Sequence, residues 1–92
     1  MIKNLNQLKK ALEPGVEFEI VLHCRPKCIG QIRKVTRANT AGVYTLTGEG
    51  KELWFEWGPA RCWTFDAEGI CAQYSEYKDR PNEILFAFKI IN

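Results

Sequence analysis

Apolar residues near the start of the chain recur at helical spacing and then switch to alternation. Leu5, Leu8 and Leu12 fall on one side of a helix with Ala11 beside them, leaving Asn6, Lys9 and Lys10 outward. Asn4 is a good N-cap, and Gln7 sits three residues on with capping-box spacing. Pro14 and Gly15 stop the pattern, because proline cannot continue the ladder and glycine accepts positive φ. The spacing therefore predicts a short amphipathic helix over about residues 4–13. A helix of that length is not stable alone in water, so its leucines must dock on another element.

After Gly15 the period becomes two. Phe18, Ile20 and Leu22 point one way, while Glu17, Glu19, Val21 and His23 point the other, as in a half-buried strand. Arg25-Pro26-Lys27 breaks it. The stretch from Gly30 to Thr40 looks extended, but its alternation is imperfect, as a bulge or an exposed edge would make it. Asn39 to Gly42 reads as a hairpin connection, Val43 to Thr47 as a strand, and Gly48 to Gly50 as its end. Leu53 to Trp57 follows, then a turn at Gly58-Pro59. Cys62 to Asp66 and Ile70 to Tyr74 flank Ala67-Glu68-Gly69 as a tight hairpin. Ser75 to Glu83 is polar and broken by Pro81, so it reads as a loop. Ile84 to Ile91 is apolar on both faces except Lys89, which marks a central strand.

These elements predict one α+β domain spanning residues 1–92. Its short N-terminal helix packs on a curved antiparallel β-sheet, or a partly open small β-barrel, of about six to seven strands. No βαβ pattern, internal repeat or long linker divides the chain.

Three tryptophans lie between Leu53 and Phe65, and strand phase separates them. Leu53, Phe55 and Trp57 share one face, as do Trp63 and Phe65, and Phe86 and Phe88 form a third pair. These read as core. Trp54 is out of phase with its neighbours, and Tyr44 is out of phase with Val43, so both are candidates for an exposed contact.

Composition adds little until charge is placed along the chain. The net charge is +2, but no carboxylate lies between Glu19 and Glu49, where Arg25, Lys27, Arg33, Lys34 and Arg37 all fall. From Asp66 to Glu83 five carboxylates face two cations. The N-terminus lacks the apolar core of a secretory signal, and no run approaches the ~20 apolar residues of a membrane span. The expectation is a cytoplasmic protein with reduced cysteines and no membrane partner.

Candidate chemistry is sparse. His23, Cys24 and Cys28, with Cys62 and Cys71, supply soft ligands for a tetrahedral zinc ion. Their spacing argues against it, because Cys24 and Cys28 enclose a proline and lack the two-residue knuckle. Cys28 near Arg25 and Lys27 could be an activated thiol, but no orienting carboxylate accompanies His23, which reads better as an outward strand-end residue. Glu17, Glu19, Glu52 and Glu56 form no recognisable catalytic pair. No phosphate loop, dinucleotide fingerprint or nucleophile elbow occurs. The expectation is a protein without catalytic residues or cofactor.

The basic segment leaves three readings open. Its cations could block edge pairing of a strand, contact an acidic protein, or follow the phosphates of a single nucleic-acid strand with Tyr44 and Trp54 as stacking surfaces. Several segments together resemble small proteins, of no assigned mechanism, carried by phages and conjugative elements of Gram-positive bacteria. They are Asn6-Gln-Leu-Lys-Lys-Ala-Leu12, Arg25-Pro26 ahead of Gly30-Gln-Ile-Arg33, Phe55-Glu-Trp-Gly-Pro-Ala60, and Trp63-Thr-Phe-Asp-Ala-Glu-Gly-Ile-Cys71. The resemblance brings no catalytic residues and implies an accessory protein that acts by binding. The leading expectation is protein–protein contact through Arg25, Lys27, Arg33, Lys34, Arg37, Tyr44 and Trp54. Single-stranded nucleic-acid binding is the alternative, and a structural zinc module the second. Oligomeric state is not legible.

Overall fold

The computed structural model describes residues 2–76 and 83–91. Helix α1 (Leu5–Ala11) is followed by β1 (Glu17–His23), β2 (Ile32–Ala38), β3 (Gly42–Thr47) and β4 (Glu52–Glu56). Then come β5 (Trp63–Phe65), β6 (Ile70–Tyr74) and β7 (Ile84–Ile90). Short 3-10 turns at Pro26–Cys28 and Ala60–Cys62 lead into β2 and β5. The seven strands form one antiparallel sheet in the order β4-β3-β2-β1-β7-β6-β5, which is the expected α+β architecture in its open form. The loop expected over residues 75–83 lies mostly outside the described residues.

Local chemistry explains the ends of the elements. The Asn4 side chain accepts the Gln7 N–H at 2.9 Å, and the Gln7 side chain accepts the Lys3 N–H at 2.7 Å, one residue before the usual capping-box donor. The β5–β6 hairpin closes on Asp66, whose Oδ1 accepts the N–H groups of Glu68 and Ile70, both at 2.9 Å. Gly69 completes this turn at φ +86°, in the left-handed region that glycine occupies without a Cβ clash.

Strand order explains the two-sided burial of β7. It lies between β1 and β6 as a central strand, with Phe86 and Phe88 on the inner face and Ala87 on the outer. Leu5, Leu8 and Leu12 dock against the inner face, where Phe18 stands 4.5 Å from Phe88. Burying side chains of this size stabilises by roughly 1.5–3 kcal/mol each.

The sheet curls until its two edges approach. Phe55 of β4 and Trp63 of β5 have ring centroids 6.2 Å apart, although no backbone ladder joins their strands. Side chains close the corner instead. Trp63 Nε1 donates to the Trp57 carbonyl at 2.6 Å, and Gln73 Nε2 donates to the carbonyls of Glu56 at 2.8 Å and Trp57 at 3.1 Å. Trp57 Nε1 donates in turn to the Asn39 carbonyl at 2.9 Å. Trp57 and Trp63 are therefore core residues, as their phase predicted.

Two bulges correct the simple alternation. In β1 the register shifts between Ile20 and Leu22, so the shared face expected for Phe18, Ile20 and Leu22 is broken. Leu22 turns outward and is 49% exposed, while His23 pairs with Phe86 and turns inward rather than outward. A second shift lies between Val35 and Arg37. It explains the imperfect pattern there, and because β2 sits between β1 and β3, its cations do not guard an edge.

Candidate functional site

The second bulge decides where the basic residues go. Arg33 pairs with Thr47 and Val35 with Thr45, all on the buried inner face. Lys34 pairs with Leu46 on the outer face. Strict alternation would return Arg37 to the inner face, but the bulge sets it opposite Tyr44 on the outer one. The three β2 cations thus serve two surfaces.

On the outer face, Arg37, Tyr44 and Trp54 form a stack. The Arg37 guanidinium lies 4.0 Å from the Tyr44 ring centroid, and Tyr44 and Trp54 pair across strands with centroids 4.4 Å apart. Trp54 is 39% exposed, as its phase predicted, and Ile32 and Leu46 are also exposed. Glu52 and Glu56 lie on Trp54's side of β4, so the charge on this platform is mixed.

Arg25, Lys27 and Arg33 gather elsewhere, in a cleft of about 410 Å³ at the end of the sheet where β2 starts. The helix lies toward the other end, where the Lys9 ammonium sits 5.7 Å from the Trp57 ring centroid. Lys51 and His23 also line the cleft, with Glu49 as its one carboxylate among the described residues and Trp54 on its wall. Arg33 is only 6% exposed. Its Nε donates to Gln31 Oε1 at 2.8 Å, and among the described residues no carboxylate pairs with it, the ion pair there being Arg61–Glu76 at 3.3 Å.

Burial lowers the Arg33 pKa, partly offset by the neighbouring Cys28 side chain. An arginine nonetheless stays charged at neutral pH. His23 Nδ1 accepts the Arg25 N–H at 2.9 Å. Burial first, then Arg33 and Arg25, hold the imidazole below its ordinary range. The folded state favours neutral His23, so its contribution is present above the ordinary imidazole pKa and is lost as pH falls through the lowered one.

The cysteines do not converge on a site. Cys24 is exposed, Cys28 half-buried, and Cys62 and Cys71 buried. No group of three or more His, Cys, Asp and Glu among the described residues could hold a metal ion. Burial, with a smaller push from Asp66, raises the Cys71 thiol to about 11. A thiol reagent at mildly alkaline pH will therefore modify Cys24 rapidly, and Cys71 only as the protein unfolds. Labelling followed by mass spectrometry with increasing urea checks this, and fast native modification of Cys71 would contradict its burial. The sign for stability follows, because thiolate formation favours the unfolded chain as pH rises above the ordinary thiol value of 9.0 toward 11.

Sequence reasoning missed Gln31, Glu49 and Lys51, which the Gly48–Gly50 turn and the 3-10 turn bring to one cleft. Only the glycines of that turn hinted at a close return of the chain. Among the described residues no helix is long and apolar enough to cross a membrane. No protein-family model, curated protein or solved structure matches the chain.

Proposed function

We propose that this is a small binding protein, without catalysis of its own, that acts by protein–protein contact through the outer face of β2, β3 and β4. The observation that carries this reading is the exposed Arg37–Tyr44–Trp54 stack. Tyrosine, tryptophan and arginine are the residues that most often dominate binding energy at protein interfaces. Their rings are already packed on one another, so little side-chain freedom is lost on contact.

Exposed Ile32 and Leu46 and the mixed charges Lys34, Glu52 and Glu56 surround the stack. That pattern suits a partner with an apolar patch and charges of both signs better than a uniformly acidic one. Likewise, the division of the cations between two surfaces offers no single basic track for a nucleic-acid strand. The accessory role implied by the resemblance to phage and conjugative-element proteins agrees with this reading.

The test is affinity capture from the source cells, with Trp54→Ala and Arg37→Ala beside the parent protein. Each substitution should weaken capture of the partner about tenfold while circular dichroism stays unchanged. An identical captured set would remove the platform from the function. Salt-sensitive quenching of Trp54 fluorescence by a single-stranded oligonucleotide would favour nucleic acid instead.

A further inference from the structure

Arg33 poses a problem that the outer platform does not answer. An arginine residue only 6% exposed ordinarily has a carboxylate partner. Here it has Gln31, which takes one of its five N–H donors, and the Cys28 side chain beside it. No fully buried side-chain nitrogen or oxygen among the described residues lacks a hydrogen-bond partner. The remaining Arg33 donors therefore open onto the cleft that the residue lines.

The rim compounds the charge. Arg25, Lys27 and Lys51 line the same cleft, as does His23, against the single carboxylate that the described residues bring there, that of Glu49. Exposed cations on a flat surface would mean little, being screened and solvated. Four permanent cations around a concave wall with one of them at its floor are different. Converging positive charge beside low-dielectric walls focuses a field that attracts a multiply charged anion.

We propose that this cleft binds the phosphate group of a small phosphorylated molecule, with Arg33 gripping it from below and Arg25, Lys27 and Lys51 from the rim. Arginine's planar fork matches two oxygens of a phosphate, while lysines act as mobile point charges around it. Charge matching favours a phosphate monoester, which carries about −1.5 to −2 at neutral pH, over a single carboxylate. A volume of about 410 Å³ lies within the range of small-molecule sites, roughly 300–1,000 Å³, and leaves room for the rest of the ligand beside Trp54.

The chain's single histidine lines the cleft and gives a direct probe. Its imidazole resonances can be followed by NMR while inorganic phosphate, ribose 5-phosphate or citrate is added, with sodium chloride at matched ionic strength as control. Both phosphate compounds should give saturable shifts at millimolar concentration and raise the His23 pKa, because the anion offsets Arg33 and Arg25. Ribose 5-phosphate should bind at least as tightly as inorganic phosphate. Lys27→Gln and Lys51→Gln, both at exposed positions away from the core, should each weaken binding roughly tenfold, the order of one charge-assisted hydrogen bond.

Arg33→Gln should abolish binding, with circular dichroism reporting its fold. No saturable shift with either phosphate compound would overturn the proposal. So would an equal response to chloride, or unchanged affinity in both lysine variants. Citrate binding more tightly than the phosphates would overturn the assignment to phosphate. Arg37 and Tyr44 do not line this cleft, so failure here leaves the outer-face reading standing, and the reverse also holds.

Discussion

Trp63→Ala should destabilise the protein by about 3–5 kcal/mol, the usual cost of deleting a buried tryptophan side chain. Typical domains have only about 5–15 kcal/mol in total, so the variant should be partly unfolded on mild warming. The indole does two jobs. It packs among Phe55, Phe86 and Phe88 with centroids 6.1–6.2 Å away, and its N–H joins β5 to the end of β4 through the Trp57 carbonyl. Trp63→Phe separates them, keeping most of the packing and losing the donor, and should cost about 1–3 kcal/mol. Gln73→Leu removes the other donor to that carbonyl, together with its bond to Glu56. Because Trp63 and Gln73 share one acceptor, Trp63→Phe with Gln73→Leu should be non-additive by at least 0.5 kcal/mol in urea unfolding. Additive losses would mean that the corner is held by packing alone.

That corner was beyond the reach of sequence reasoning, although its members were not. Phase correctly sorted Trp57 and Trp63 inward and Trp54 outward, because each strand there keeps a period of two. The helix was legible for the same kind of reason, since Asn4, Gln7 and the leucines are local signals. Gln73 looked like any polar strand residue. Its value comes from Glu56 and Trp57, at least 16 residues away, which only the curl of the sheet brings near.

Bulges set the other limit. One extra residue in β1 exchanged the faces of Leu22 and His23, and one in β2 sent Arg37 outward while Arg33 stayed in. A bulge leaves only a faint irregularity in the hydrophobic pattern, yet it moves every side chain beyond it to the opposite face. Whether Trp54 and the basic strand share one surface was therefore not legible in the sequence, and the seven partner-binding candidates divide between two. Arg37, Tyr44 and Trp54 share the platform with Lys34, whereas Arg25, Lys27 and Arg33 line the cleft that Trp54 also borders.

The platform depends on a residue that has no side chain, and Gly42→Ala should show it. Gly42 pairs with Glu56 at the end of β3, and the Trp54 ring lies over it. A Cβ at this position would come within 2.8 Å of two ring atoms and would also collide with the Phe55 carbonyl oxygen. The ring can swing aside. The carbonyl is backbone and cannot, so β4 must draw away from β3. Overpacking of this kind costs about 1–3 kcal/mol, and the backbone clash places Gly42→Ala at the upper end. The lower entropy of the unfolded alanine chain offsets only about 0.4–1 kcal/mol. Displacing Trp54 also breaks its 4.4 Å contact with Tyr44, so capture of a partner should fail even in the fraction that remains folded. Gly42→Ala combined with Trp54→Ala distinguishes the two clashes, because it removes the ring and keeps the carbonyl. If the backbone contact dominates, the double variant should be no more stable in urea than Gly42→Ala alone. Recovery of stability would instead show that the tryptophan ring is what excludes a side chain there, and that strand pairing tolerates it.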